Sequence, residues 1–423
     1  MKVLLISHNP LSTYNNMGKT LAALFSSFEK NELCQLYVYP SIPDIEYCES
    51  YFRITDKDIL NSLLSFTKVK GRIIMPNLNQ HSQFEREEDR DTYRNPKNKK
   101  AIRVLLRAIC WRCKNWYNKE LKTWLDQEKP SHIFIAPGTG LFLYDMALNI
   151  SHDYNIPIIT YICDDYYFIK NSIFLLENLK NYLLKNKIEK LMKKTKYIVA
   201  ISDDARDNYA KYWNIPSSTI MTGSNFKAPL TKKNIENPQK IVYMGNIRCN
   251  RFLSLLKIGE VLDEINKEKG TSYSLEIYSG ERDQGILSLF NNIKSIKNCG
   301  YVSGEEFKRV MCSADILLHT EAFDEKSISR VKSSISTKIA DLLSSGIPVF
   351  AYSPKNIAST EYLRENDCAV IADEIPKLKE KLLIILESND IRKQIVKNGI
   401  RVAKKNHDLF TNSIKIRKIM ELV

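Results

Sequence analysis

Short runs rich in β-branched and aromatic residues alternate along the chain with longer stretches whose apolar positions recur every three or four residues, the pattern of parallel α/β layers. In the first half the predicted strands are 2–7 (KVLLIS), 34–39 (CQLYVY), 72–75 (RIIM), 132–136 (HIFIA), 157–162 (PIITYI) and 197–201 (YIVAI). Helical spacing covers 17–29, 99–127, 140–153, 170–194 and 204–212. A second set of strands is predicted at 240–244, 274–279, 296–300, 315–319, 347–351 and 369–372. Residues 227–239 between the sets are polar and lysine-bearing, with two prolines, and read as a linker. The expected fold class is therefore α/β, with two Rossmann-like domains facing a deep interdomain cleft. Their expected bounds are 1–227 and 240–405, joined by a linker at 228–239, with a helix at 406–423 packing back on the first domain. Ligands of open parallel sheets sit beyond the carboxyl ends of the strands, so that cleft is the default site.

Length and composition agree with this reading. The 423 residues exceed one ordinary core, and 43% of them are hydrophobic. No apolar run approaches the roughly eighteen residues of a spanning helix, and "MKVLLISHNP" reads as a first strand rather than a signal peptide. The nine cysteines are scattered; Cys110 and Cys113 form the one close pair, with no second pair to complete a zinc site. The expected setting is the cytoplasm, with reduced thiols.

Charge changes the picture locally. The net charge is +14, and residues 94–122 hold ten Lys/Arg against the single Glu120. Such a bias calls for an anionic partner. On a helix over 99–125, Leu105, Leu106, Ile109, Cys113 and Trp116 form one apolar face, with Arg103, Arg107, Trp111 and Lys114 on the opposite face. A cationic face with a tryptophan suits an anionic membrane surface, and 179–196 adds a second basic helix. A solvated lysine-rich face is the plainer alternative. No zinc finger, recognition helix or RNA-binding aromatic signature accompanies the charge, so nucleic acid is not expected as a partner.

The second half carries the clearest candidate chemistry. In "STKIADLLSSGIPVFAY" (336–352), Lys338 and Asp341 lie three apart on one helix face just before a buried strand. The lysine can meet phosphate oxygens and the carboxylate a ribose diol, so the pair suits a nucleotide; an i,i+3 surface ion pair is the alternative. "IVYMGNIRCNRFLSLL" runs from strand to helix through Gly245, with Arg248 and Arg251 in reach of a diphosphate. "SPKNIASTEYLREN" sets Ala358 and Ser359 at a helix start, where free amides make an anion site.

These stretches resemble the nucleotide-sugar glycosyltransferases of the GT-B fold, in particular the retaining glycosyltransferase family four. The resemblance covers the second half in strand–helix order and the first half more loosely. It implies that Gly245 and Arg251, with Arg248 as an extra candidate, and Thr337–Lys338 bind the donor diphosphate. It also implies that Ala358 and Ser359 cap that diphosphate, and that Asp341 stands where the family has a ribose-binding Glu. Ser333 occupies the place of a second family Glu, and Glu321 in "HTEAFD" is a candidate for the same pocket. In the first half the resemblance assigns Gly18 to the donor sugar, and Asn16, Gly138 and Gly140 to the acceptor side. Asp164 and Asp165 in "ICDDYYF" stand where the family lines the reaction centre, with loop stabilisation as the alternative role.

The implied reaction moves a sugar from a nucleoside diphosphate of UDP or GDP type to a hydroxyl of a glycan or lipid-linked acceptor. Retention is expected, and no metal or other cofactor is required. Arg251 and Lys338 meet the leaving-group charge, and the enzyme is cytoplasmic, peripheral on the inner membrane face. Two alternatives stand beside it. "TYNNMGKT" (13–20) matches a P-loop except for Thr13 in place of the first Gly, and a nucleotide-sugar epimerase would share the fold.

Overall fold

A computed structural model describes residues 1–13, 16–77, 101–113, 116–169, 172–226 and 237–423. The chain forms two compact units, Met1–Ile220 together with Leu409–Val423, and Met221–Asp408. Most of the predicted linker, 228–236, lies outside the described residues.

The first unit is built on eight strands: β1 (Val3–Ser7), β2 (Leu33–Tyr37), β3 (Ser50–Arg53), β4 (Arg72–Ile74), β5 (His132–Ala136), β6 (Ile158–Ile162), β7 (Thr195–Ala200) and β8 (Ser217–Thr219). They lie in the order β4-β3-β2-β1-β5-β6-β7-β8, with β4 alone antiparallel to its neighbour. The helices are α1 (Asn16–Leu24), α2 (Asp56–Leu64), α3 (Ala101–Cys113), α4 (Lys119–Glu128), α5 (Leu141–Tyr154), α6 (Leu175–Met192) and α7 (Asp203–Trp213). Strand residues alternate between two cores. Leu4, Ile6, Ile133 and Ile135 face α3 to α6, while Val3, Leu5, Phe134 and Ala136 face α1 and the terminal helix Leu409–Leu422. The terminal helix is fixed by Arg417, which forks onto Glu32 at 2.6 and 2.7 Å, and by Ser413, which accepts from the Ser27 amide.

The second unit is a six-stranded parallel sheet of β9 (Lys240–Met244), β10 (Ser274–Tyr278), β11 (Ile296–Gly300), β12 (Ile316–Thr320), β13 (Val349–Tyr352) and β14 (Val370–Ala372), ordered β11-β10-β9-β12-β13-β14. Its helices continue as α8 (Arg251–Lys269), α9 (Gln284–Phe290), α10 (Gly304–Ser313), α11 (Glu325–Val331), α12 (Lys338–Ser344), α13 (Ala358–Glu365), α14 (Leu378–Glu387) and α15 (Asn389–Asn406), and α16 is the terminal helix of the first unit. The winding direction reverses between β1 and β5 in one sheet and between β9 and β12 in the other. The carboxyl edges at those two places are where such sheets bind ligands.

Three predictions about elements need correction. The sequence reading missed β3 and α2, although Thr55 and Asp58 close a reciprocal capping box at the start of α2. The single helix expected over 99–127 is two, because Asn118 caps a fresh start by accepting from the Leu121 amide. The faces assigned to it are exchanged in part, since Trp116 is buried and Arg103 exposed as expected. Trp111 is 1% exposed and stacks on Phe142 at 4.0 Å, whereas Leu106 and Ile109 point outward.

Candidate functional site

At the β9/β12 edge the main chain leaves β9 through Gly245, whose φ of +148° only glycine adopts readily. A Cβ there would lie 1.8 Å from the Lys338 ammonium nitrogen, so the missing side chain is the space the lysine occupies. Lys338 opens α12 and reaches under the turn. Its Nζ donates to the Tyr243 hydroxyl at 3.3 Å and lies 4.8 Å from the centre of that ring. Burial pushes its pKa down to about 8, the Arg251 guanidinium pushes the same way, and Glu321 opposes them.

Arg251 opens α8 and places Nε and Nη2 on the two oxygens of Glu321 at 2.7 and 2.9 Å. Glu321, just past β12, is held by its own backbone: its carbonyl accepts from Ser254 Oγ at 2.8 Å. Two cations and one buried carboxylate therefore share one edge, and the arrangement leaves a net positive charge for an anion. His319 near the end of β12 completes the group. It is 3% exposed, and its Nε2 has no hydrogen-bond partner among the described residues. Burial, then Lys338 and Arg251, lower its pKa to about 3, so the ring is neutral.

The other predicted donor residues are placed differently. Asp341 does not pair with Lys338; its carboxylate is 6% exposed and accepts from Ser224 Oγ at 2.5 Å. Ser224 in turn donates its amide to the His407 carbonyl, so Asp341 braces the 222–224 segment. The Ala358 amide is not free at the start of α13, because it donates to the Lys332 carbonyl at 2.7 Å. Ser359 Oγ accepts from the Ser336 amide, tying α13 to the approach of α12, where Thr337 precedes Lys338. Arg248 forks onto Glu281 at 2.7 and 3.2 Å.

In the first unit, Gly138 (φ +59°) and Gly140 follow β5, and Gly18 lies so close to the Pro10 carbonyl that a Cβ would come within 2.2 Å of it. Asn16 begins α1; its side chain and Lys114 lie outside the described residues. Asp165 holds its loop through one oxygen: Oδ1 accepts from the Tyr167 and Phe168 amides and the Tyr209 hydroxyl, each at 3.0 Å. Asp164 accepts from the Tyr166 hydroxyl at 2.8 Å.

Arg107 and Trp111, expected on a membrane face, instead converge on Asp56 Oδ1, both at 2.7 Å. Arg107 also lies 3.2 Å from His8 Nε2, at the carboxyl end of β1. Burial and the adjacent guanidinium lower the His8 pKa to about 3, against the pull of Asp56. Its Nε2 therefore accepts from Arg107. Neither His8 nor Asp56 was nominated from the sequence, although the "SHNP" turn directly follows the first strand. Arg103 is exposed. Thr13 donates its amide and hydroxyl to Asp44 at 2.8 and 2.9 Å, and a carboxylate at that turn disfavours the P-loop alternative.

Residues 260–414 match the family described as glycosyl transferase-like. No curated protein matches the sequence. Among solved structures, HepE of Anabaena in complex with UDP is 12% identical, each chain covered in full, with a TM-score of 0.62. Sucrose-phosphate synthase from Thermosynechococcus elongatus is 11% identical over 100% of this chain and 98% of the other, at 0.64. A UDP-forming trehalose-phosphate synthase from Burkholderia xenovorans is 9% identical over both whole chains, also at 0.64. The fold is that of the GT-B glycosyltransferases.

Proposed function

As a glycosyltransferase of the GT-B type, the chain, we propose, takes its sugar from a UDP-sugar and passes it to a hydroxyl of a glycan or lipid-linked acceptor. The observation that carries this reading is the buried Lys338 ammonium beneath Gly245, beside Arg251, at the winding reversal of a parallel sheet. A diphosphate placed there meets two fixed cations. As the acceptor hydroxyl oxygen bonds to the anomeric carbon, the sugar–phosphate bond breaks, its electron pair passes to the diphosphate, and the hydroxyl proton passes to the departing phosphate oxygen. Lys338 and Arg251 stabilise that charge without reorganising, and removing one such contact costs about 3 kcal/mol, near a hundredfold in rate.

In this reading Glu321 positions Arg251 rather than touching the donor. The protein's own cations balance the diphosphate, which suits transfer without a metal. Retention follows the family resemblance. Support for UDP over other nucleotides comes from the UDP complex of HepE. On the acceptor side, Gly138 and the His8–Arg107 pair line the β1/β5 edge. The acceptor is reached from the cytoplasmic face of a membrane.

A thermal-shift panel of UDP, GDP, ADP and CMP on wild type and Lys338→Ala tests the donor site. UDP is expected to raise the transition of wild type alone, with the shift surviving EDTA. If no nucleotide shifts wild type, or UDP shifts the variant equally, the donor assignment is wrong.

A further inference from the structure

Most helices of the first unit follow the usual rule, apolar inward and polar outward, but three neighbours break it. On α3, Ile102, Leu106 and Ile109 share one stripe at i, i+4 and i+7 spacing, and each is at least half exposed. That stripe faces away from the core, because Ala101, Ala108 and Trp111 supply the packed side. On α6, Leu175, Leu179 and Tyr182 repeat the same spacing and are exposed, Leu175 to 82%. On α2, Leu60 and Leu64 do so one turn apart, with Leu64 at 80%. α3 packs against both α2 and α6, so the three outward stripes lie on neighbouring helices. Isolated exposed leucines need no account; outward apolar stripes on three neighbouring helices mark an interaction site.

The charge around it selects the occupant. α3 carries three arginines and no acid, and Arg103 and Arg112 are exposed. The acids of the flanking helices are already engaged from within. Asp56 binds Arg107 and Trp111, Asp58 caps the start of α2, and Glu189 accepts from Tyr167. Glu177 is paired with Lys180. A surface that is apolar at its centre, cationic at its margin and poor in available carboxylate fits anionic phospholipid, in which the aliphatic side chains enter the acyl boundary while the arginines meet phosphate.

We infer that the outward faces of α2, α3 and α6 dock the first unit onto an anionic bilayer. This deepens the reading of a lipid-linked acceptor, and it replaces the Arg107–Trp111 face, which is turned inward, with its opposite. A second copy of the chain is the competing occupant.

The test uses the full chain with vesicles of phosphatidylcholine alone, or with about a third phosphatidylglycerol. Flotation is expected with the anionic vesicles only, weakening as salt rises. The paired substitution Leu106→Ser with Ile109→Ser is expected to weaken vesicle binding by about tenfold or more. Its thermal transition and UDP shift stay unchanged, whereas Leu289→Ser, an exposed leucine of the second unit, leaves flotation intact. Three results would each overturn the inference: no flotation with either vesicle, equal flotation by the paired variant, or a dimer in light scattering that the paired variant dissolves. Vesicle binding requires no sugar transfer, so this surface and the donor site fail separately.

Discussion

At the scale of single residues, the proposed donor edge makes sharp demands. Gly245→Ala puts a methyl group where the Lys338 ammonium sits and asks a side-chain-bearing residue to adopt φ +148°. The expected cost in stability is about 1–3 kcal/mol, with the UDP-induced thermal shift abolished. His319→Leu separates binding from folding. The ring leaves a buried nitrogen unpartnered, so its removal is expected to leave the melting temperature unchanged or higher. If Nε2–H meets a donor oxygen, UDP affinity falls by about 1.5–3 kcal/mol, roughly ten- to a hundredfold in calorimetry.

The same edge predicts a pH dependence. The free lysine has a pKa of about 8, and a diphosphate beside it raises that value. Below this pH the ammonium is already present and affinity is level. Above it, binding must take up a proton, so affinity falls with rising pH by up to about tenfold per unit. Lys338→Arg, charged throughout, is expected to remove the fall in any binding it retains.

At the scale of elements, the central strands were legible because consecutive β-branched residues suit a sheet buried on both faces. "SYFR" was not, being four residues long with an arginine at its end, and α2 went with it despite a capping signal in "TDKD". Helix α3 shows why a face can be misassigned. Both of its sides are apolar, and the larger aliphatic residues outweighed Ala101, Ala108 and a tryptophan read as an interfacial anchor. What reversed the assignment was Asp56, which accepts from Trp111 and Arg107 across more than fifty residues. Lys338 and Asp341 show the same limit: local spacing put them on one helix, but Ser224, which donates to Asp341, lies 117 residues away. Trp111→Ala is therefore expected to destabilise the first unit by about 3–5 kcal/mol in denaturant titration, as a core deletion does and a surface anchor does not.

At the scale of the whole molecule, the chain returns to its first unit only in the last fifteen residues, Leu409–Val423. Helix α16 buries Ile416, Ile419 and Met420 in the core that includes Leu21 and Phe25. Burial of each such side chain contributes about 1.5–3 kcal/mol, so α16 adds a large share of a typical domain's margin. The Arg417–Glu32 fork is partly exposed and adds less, so Arg417→Ala is expected to cost about 1 kcal/mol or under. Deleting 409–423 is the stronger test. Lys338, Arg251, Glu321, Tyr243 and His319 all belong to Met221–Asp408, so truncation removes part of one core and none of the proposed donor residues. Scanning calorimetry of the truncated chain is expected to show a lowered transition for the first unit, while UDP still raises that of the second. If truncation abolishes the UDP response while the second unit still melts as a folded body, the donor site depends on residues outside those five, and its assignment to the β9/β12 edge fails.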